Sequence, residues 1–237
     1  MVQNWNDVVF LHWRVPSEDV QRRLPAGIEV DTLDGYAWVG LVPFNMSGLG
    51  VPGIGPIPFV NSFPGVNVRT YVRHGSRRGV WFFSFDVDSL LPTLVARAAY
   101  GLPYCTGHTT HSRTGDVLTS SVRRSWPRPA GATAARAEIA VRTGDPIDGS
   151  EPLNRFLTGR WGLLSTGRTR TGRTRTGHQP AVRWAPVEHP AWPLYSAEVL
   201  NVQEDLLAAA GIERPDSPPH AMWSPGVPVR VGRPVRA

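Results

Sequence analysis

Apolar residues in this chain cluster into short extended runs separated by glycine- and proline-rich breaks, a spacing that predicts far more strand than helix. Residues 4–13, with Val8, Val9, Phe10 and Leu11, predict a strand. Ser17, followed by Glu18 and Asp19, predicts the cap of a short helix that Pro25 stops after Leu24. Residues 28–33 and 36–44 predict a hairpin across Asp34-Gly35. Residues 66–73 alternate, with Val66, Val68, Thr70 and Val72 on one face and Asn67, Arg69, Tyr71 and Arg73 on the other. An aromatic strand over 80–86 leads into a helical stripe over 89–100 that Gly101 ends, and Pro103 returns the chain to extended structure. Residues 104–113 and 117–124 predict a second hairpin, 134–142 and 181–187 further strands, and Ser150 the cap of a helix through Phe156 and Leu157. Ser196 predicts the cap of a last helix carrying Val199, Leu200, Leu206, Leu207 and Ala210 inward.

The breaks are as informative. Residues 45–64 hold neither period and predict a long loop. The unit Thr-Gly-Arg-Thr-Arg occurs at 166–170 and again at 171–175, which predicts an expanded hairpin tip inside a flexible insertion near 165–178. A proline-rich tail begins near 215, and Pro228 in its last apolar stretch suits a strand edge. The sum is a single α+β, β-rich domain with a mainly antiparallel sheet and a few peripheral helices.

Composition narrows the chemistry. All 25 basic residues are arginine, so no lysine is present to form a Schiff base or to attach pyridoxal phosphate. The net charge of +6 is spread along the chain, and the one dense cluster, 168–175, has no interleaved aromatic residue for base stacking. Nucleic acid is therefore the least favoured partner. The single cysteine, Cys105, excludes an intrachain disulfide and a multi-cysteine metal site. No membrane-length apolar run and no signal-peptide pattern occur, which predicts a cytoplasmic protein.

Several motifs together resemble the YqjF-like family of bacterial proteins, a distant branch of the acetoacetate decarboxylase-like superfamily. They are Leu11-His12-Trp13-Arg14-Val15-Pro16, Arg23-Leu24-Pro25, Ala37-Trp38-Val39-Gly40, Asn67-Val68-Arg69-Thr70-Tyr71-Val72, Gly101-Leu102-Pro103-Tyr104 and Pro190-Ala191-Trp192-Pro193-Leu194. The resemblance implies a closed antiparallel barrel or cone around an apolar pocket. It also implies that Arg14 matches an arginine lying close to the decarboxylases' substrate pocket. Gly101-Leu102-Pro103-Tyr104 is similar to their Gly-x-Pro-Lys motif, with Tyr104 where the Schiff-base lysine would stand and Cys105 after it.

A phenol cannot form an iminium, so imine decarboxylation is excluded for this chain. The expected site then consists of Tyr104 as donor or general acid, with Arg14, Asn67, Arg69 and His108 as ligand-binding residues. No cofactor and no metal are expected, since His108 and His111 fall on opposite faces of a strand. The expected ligand is a small anionic or carbonyl-bearing organic molecule, because guanidinium forks pair with carboxylates. Three readings stay open: an enzyme using acid-base chemistry such as hydration, dehydration or enolisation, a non-catalytic ligand-binding or sensing module, and an arginine-rich nucleic-acid binder. The sequence also leaves room for a homo-oligomer.

Overall fold

The computed structural model describes residues 1–51, 53, 55–56, 62–88, 101–127, 134–166 and 181–237. Its strands are β1 (Val2–Val15), β2 (Glu29–Val30), β3 (Ala37–Val51), β4 (Gly55–Pro56), β5 (Ser62–His74), β6 (Arg77–Val87) and β7 (Tyr104–Thr114). They continue as β8 (Val117–Trp126), β9 (Arg136–Pro146), β10 (Gly162–Thr166), β11 (Val182–Glu188), β12 (Tyr195–Glu204), β13 (His220–Val231) and β14 (Val235–Arg236). Three short helices are described: α1 (Ser17–Gln21), α2 (Pro152–Thr158) and α3 (Leu206–Ala209).

One sheet runs β14-β11-β10-β6-β7-β8-β9-β12-β13-β1-β3-β5-β2, and the additional pairings β5–β6 and β11–β13 curl it into a ring. The pairs β6–β7 and β10–β6 are parallel, and the other described pairs are antiparallel. The strands β13, β1, β3, β5 and β6 can be closed either through β10 and β11 or through β7, β8, β9 and β12. They form a shared wall with a core on each face. One core holds Phe10, Val42, Phe44, Tyr71, Phe82 and Phe85, and the other holds Val9, Leu11, Val39, Leu41, Val66 and Val68. Burial on both faces is the physical reason that β1 reads as an unbroken apolar run rather than an alternation.

A bulge keeps β1 in step with both cores. Asp7 has φ 49° and the β1–β3 register shifts between Asn6 and Leu11, so inward side chains change from odd positions at Gln3 and Trp5 to even ones at Val8, Phe10 and His12.

Several sequence expectations need correction. Residues 195–204 are the strand β12 and not a helix from Ser196, because they pair with β9 at eight positions from Tyr195 to Glu204, and Val199 and Val202 pack on the second core. Only α3 is helical there. The expected loop over 45–64 is largely sheet: β3 continues to Val51, β5 starts at Ser62, and their paired backbone groups satisfy each other from Val39 to Ser47. Ser17 and Ser150 are not caps, since Pro16 and Glu151 occupy those positions. The helix α1 ends at Gln21, and of residues 28–33 only Glu29–Val30 form a strand. The tail contributes β13, which pairs with β1 from Val2 to His12. Pro228 meets an edge locally: on its far side β13 is held by β12 at Met222 and Trp223 and by β11 at Arg230 and Val231. The expected helix over 89–100 and the repeat beyond Thr166 lie outside the described residues.

Candidate functional site

The inner face of the shared wall places one row of side chains side by side. His220 of β13 pairs with His12 of β1, His12 with Gly40 of β3, Gly40 with Arg69 of β5, and Arg69 with Phe82 of β6. Cross-strand partners share a face, so His12 and Arg69 flank Gly40. A Cβ on Gly40 would stand 2.5 Å from His12 Nε2, so only glycine lets the imidazole lie across that position.

Tyr71, two residues beyond Arg69 on the same face, ties the row to α2. Its hydroxyl lies 2.7 Å from the Leu157 carbonyl oxygen, 2.7 Å from His12 Nε2 and 3.3 Å from Arg69 Nη2. A carbonyl can only accept, so the phenol donates its single proton to Leu157 and accepts from the other two. His12 therefore carries its proton on Nε2. That leaves Nδ1 as a buried lone pair without a hydrogen-bond partner. Burial is the largest cause holding the His12 imidazole well below its usual pKa, with the Arg69 and His220 charges acting in the same direction. Burial likewise raises Tyr71, against the pull of Arg69 and Arg160, so both groups are neutral at ordinary pH.

Arg160 follows α2 and closes the chamber from the other side. Its guanidinium lies 2.5 Å from Asp31, 4.7 Å over the Tyr71 ring and 4.2 Å over the Phe156 ring. Burial lowers the Arg160 pKa, and Asp31 opposes that. Arg69 is different. It is only 6% exposed, donates at 3.3 Å to Tyr71 and to the Leu157 carbonyl, and has no hydrogen-bond partner at Nε. No carboxylate pairs with it among the described residues, and every Asp and Glu of the chain lies within them.

Arg69, Arg160, Trp5, Phe82, Leu157, His189 and Trp192 are among the residues lining a cavity of about 60 Å³. The Trp5 indole N–H is buried there without a partner. The wall is open beside Val229, where β13 lacks a strand partner between its contacts with β12 and β11. Trp192 packs edge-on against Trp5 and Phe10, and exposed Trp161 stacks on His189 with ring centroids 5.8 Å apart.

The expected site residues separate. Arg69 lines the cavity. Asn67 sits between Val42 and Phe85 on the same face, fully buried, with neither amide atom hydrogen-bonded. Tyr104 is buried on β7 with its ring stacked 4.4 Å from that of Phe85, outside the cavity lining. Arg14 is exposed, its guanidinium 4.2 Å over the Tyr36 ring, because it lies past the end of the inward row. His108 is exposed beside Asp88 at 3.3 Å, on the solvent side of β7. His12 and Tyr71, which hydrogen-bond behind Arg69 and outside the cavity lining, were missed, and Arg160 was placed near the pocket mouth only by its position after the helix at Phe156. Tyr71 already shared the Asn67 and Arg69 face, whereas nothing in the local pattern brings His12 to it. Among the described residues no cluster of His, Cys, Asp or Glu could hold a metal ion, and no helix is long and apolar enough to cross a membrane.

Comparison with known proteins places the fold. The chain is similar to acetoacetate decarboxylase from Legionella pneumophila, with TM-score 0.67 and 13% identity over 99% of this chain and 86% of that one. An acetoacetate decarboxylase-like enzyme from Sphingomonas wittichii RW1 gives TM-score 0.66 at 15% identity, covering 100% and 92%. The enduracididine biosynthesis enzyme MppR, complexed with pyruvate, gives 0.64 at 15%, covering 98% and 89%. At these identities the likeness shows the fold, that of acetoacetate decarboxylase-like enzymes. The YqjF protein of Bacillus subtilis strain 168 is 32% identical over 219 residues, 92% of this chain and 85% of that protein. Residues 2–228 match DUF2071, described as an uncharacterized conserved protein, and the chain belongs to that family.

Proposed function

We propose that this protein binds a small organic anion, a carboxylate, in the chamber beneath Arg69. The observation that carries the reading is a buried guanidinium with no carboxylate of its own in a chain where Arg124 and Arg160 each have one. A guanidinium keeps its charge inside proteins, and a buried charge is costly until it is paired. A carboxylate entering the chamber would meet the Arg69 fork and the unpartnered Trp5 N–H, while Phe82, Val80 and Val229 would cover its apolar part. That MppR was captured with pyruvate supports the idea that this fold houses small carboxylates.

The test is a thermal-shift and calorimetric screen of short carboxylates. Binding by the wild-type chain and its loss in Arg69→Met are expected. A broad panel without one ligand, or undiminished binding by Arg69→Met, refutes the reading.

A second reading is acid-base turnover of that ligand. The His12–Tyr71 hydrogen bond favours it, because a phenol that lends its proton to the ligand is left as a phenolate that the His12 Nε2–H and the Arg69 guanidinium would stabilise until the proton returns. Tyr71→Phe separates the two: turnover that vanishes while binding persists supports catalysis. Lysine-imine chemistry is outside both readings, because the sequence has no lysine.

A further inference from the structure

The chamber is not isolated. It shares His189 and Val229 with a larger surface depression of about 520 Å³ lined by Gln3, Asn4, Glu188 and Arg230 among others. Gln3 stands at the junction. It pairs with Val229 across β1–β13 and precedes Trp5 by two positions on the same inward face, so its side chain and the Trp5 indole follow one line along the wall. Gln3 is 6% exposed, and one end of its carboxamide is buried with no hydrogen-bond partner. Such a group is costly to keep unless something outside the chain answers it.

We propose that the chamber and the depression form one two-part site for a hydroxylated carboxylic acid, with the carboxylate on Arg69 and a hydroxyl further along its chain on Gln3. The proposal rests on the carboxylate reading above. The hydroxyl follows from the inventory of groups. The two ends of a carboxamide exchange by a half-turn, so the buried end can be the acceptor or the donor, and a hydroxyl satisfies either. An unsubstituted alkyl tail leaves the amide unanswered. An ammonium answers only one orientation, and the depression's one carboxylate, Glu188, already faces Arg230 at 3.9 Å. The apolar stretch between, at Val229 and Trp192, suits the methylenes that join the two polar ends.

Titration calorimetry of the full chain with a length series of ω-hydroxy acids, each beside its unhydroxylated counterpart, tests this. One length is expected to bind about three- to tenfold more tightly than its counterpart, the worth of one neutral hydrogen bond. Gln3→Leu is expected to erase that ratio while the plain acid still binds, and Gln3→Asn to move the preferred length upward. Plain acids that bind with no preference at any length, or a preference that survives Gln3→Leu, overturn the two-part site alone. Failure of both series to bind overturns the carboxylate reading and this one with it.

Discussion

Two arginines buried to nearly the same degree, Arg124 and Arg69, stand in opposite chemical situations. Arg124 meets Asp86 through Nε and Nη2, both at 2.7 Å, and Asp86 is completely buried. Among the described residues Arg69 hydrogen-bonds to a phenol and a peptide carbonyl alone, both at 3.3 Å. The first is a completed pair whose charges neutralise each other within the fold. The second is a charge that the fold has desolvated without neutralising. Burial alone therefore does not distinguish a structural arginine from a binding one; the missing partner does.

The largest expected effect attacks the completed pair. Asp86→Ala leaves Arg124 buried and alone, and should cost about 3–5 kcal/mol in urea unfolding. Adding Arg124→Met should recover most of that loss, since apolar replacement of a buried pair is often close to neutral. A loss below about 1 kcal/mol in the single variant would show that solvent reaches the pair and would remove the contrast with Arg69.

Next comes the platform that holds Arg69. Tyr71→Phe removes the donor to Leu157 and the acceptor used by His12 Nε2 and Arg69, and should cost about 1–3 kcal/mol. A neutral result would mean that α2 is held without the Leu157 bond.

Acid should weaken the same platform. The unfolded His12 imidazole takes up a proton near its usual pKa of about 6.5, whereas the buried ring resists it, so the unfolded state binds more protons below that pH. Stability is then full above about pH 6.5 and falls as pH drops, by up to about 1.4 kcal/mol per pH unit from this group. Burial lowers His111 and His220 in the same direction. His12→Gln should flatten the profile between about pH 6.5 and about pH 5, and an unchanged slope in that variant would refute a neutral His12.

How much of this was legible in the sequence depends on the range of the interactions involved. The β-rich fold and strands β1, β5, β6, β7 and β8 follow from local period and turn chemistry. The inward face of β5 was visible as Asn67, Arg69 and Tyr71 in alternation. β12 was misread because Val199, Leu200, Leu206 and Leu207 also fit helical spacing, and only pairing with β9, some sixty residues earlier, decides the matter. The motif around Tyr104 delivers that residue to the core that also holds Phe82 and Leu157, but not to the cavity lining. Arg160 reaches Asp31 across 129 positions, and His12 reaches Tyr71 across 59. No window along the chain contains such pairs, and Gly40, which makes room for His12, looks locally like any strand glycine.

The smallest expected change in stability is the most discriminating one. Arg69→Met removes a buried cation whose hydrogen bonds are long and whose Nε is unanswered, and it places an apolar chain of similar reach beside Phe10 and Phe82. The desolvation cost that disappears should offset the two hydrogen bonds that are lost, so unfolding free energy should stay within about 1 kcal/mol of wild type or rise. An arginine kept for structure behaves otherwise: its removal strands a partner, as the loss of Arg124 would strand Asp86. A fall of about 3 kcal/mol or more in Arg69→Met would show that Leu157 and Tyr71 depend on the guanidinium as Asp86 depends on Arg124. Arg69 would then join the structural class, and the chamber would lose the unpaired charge that singles it out.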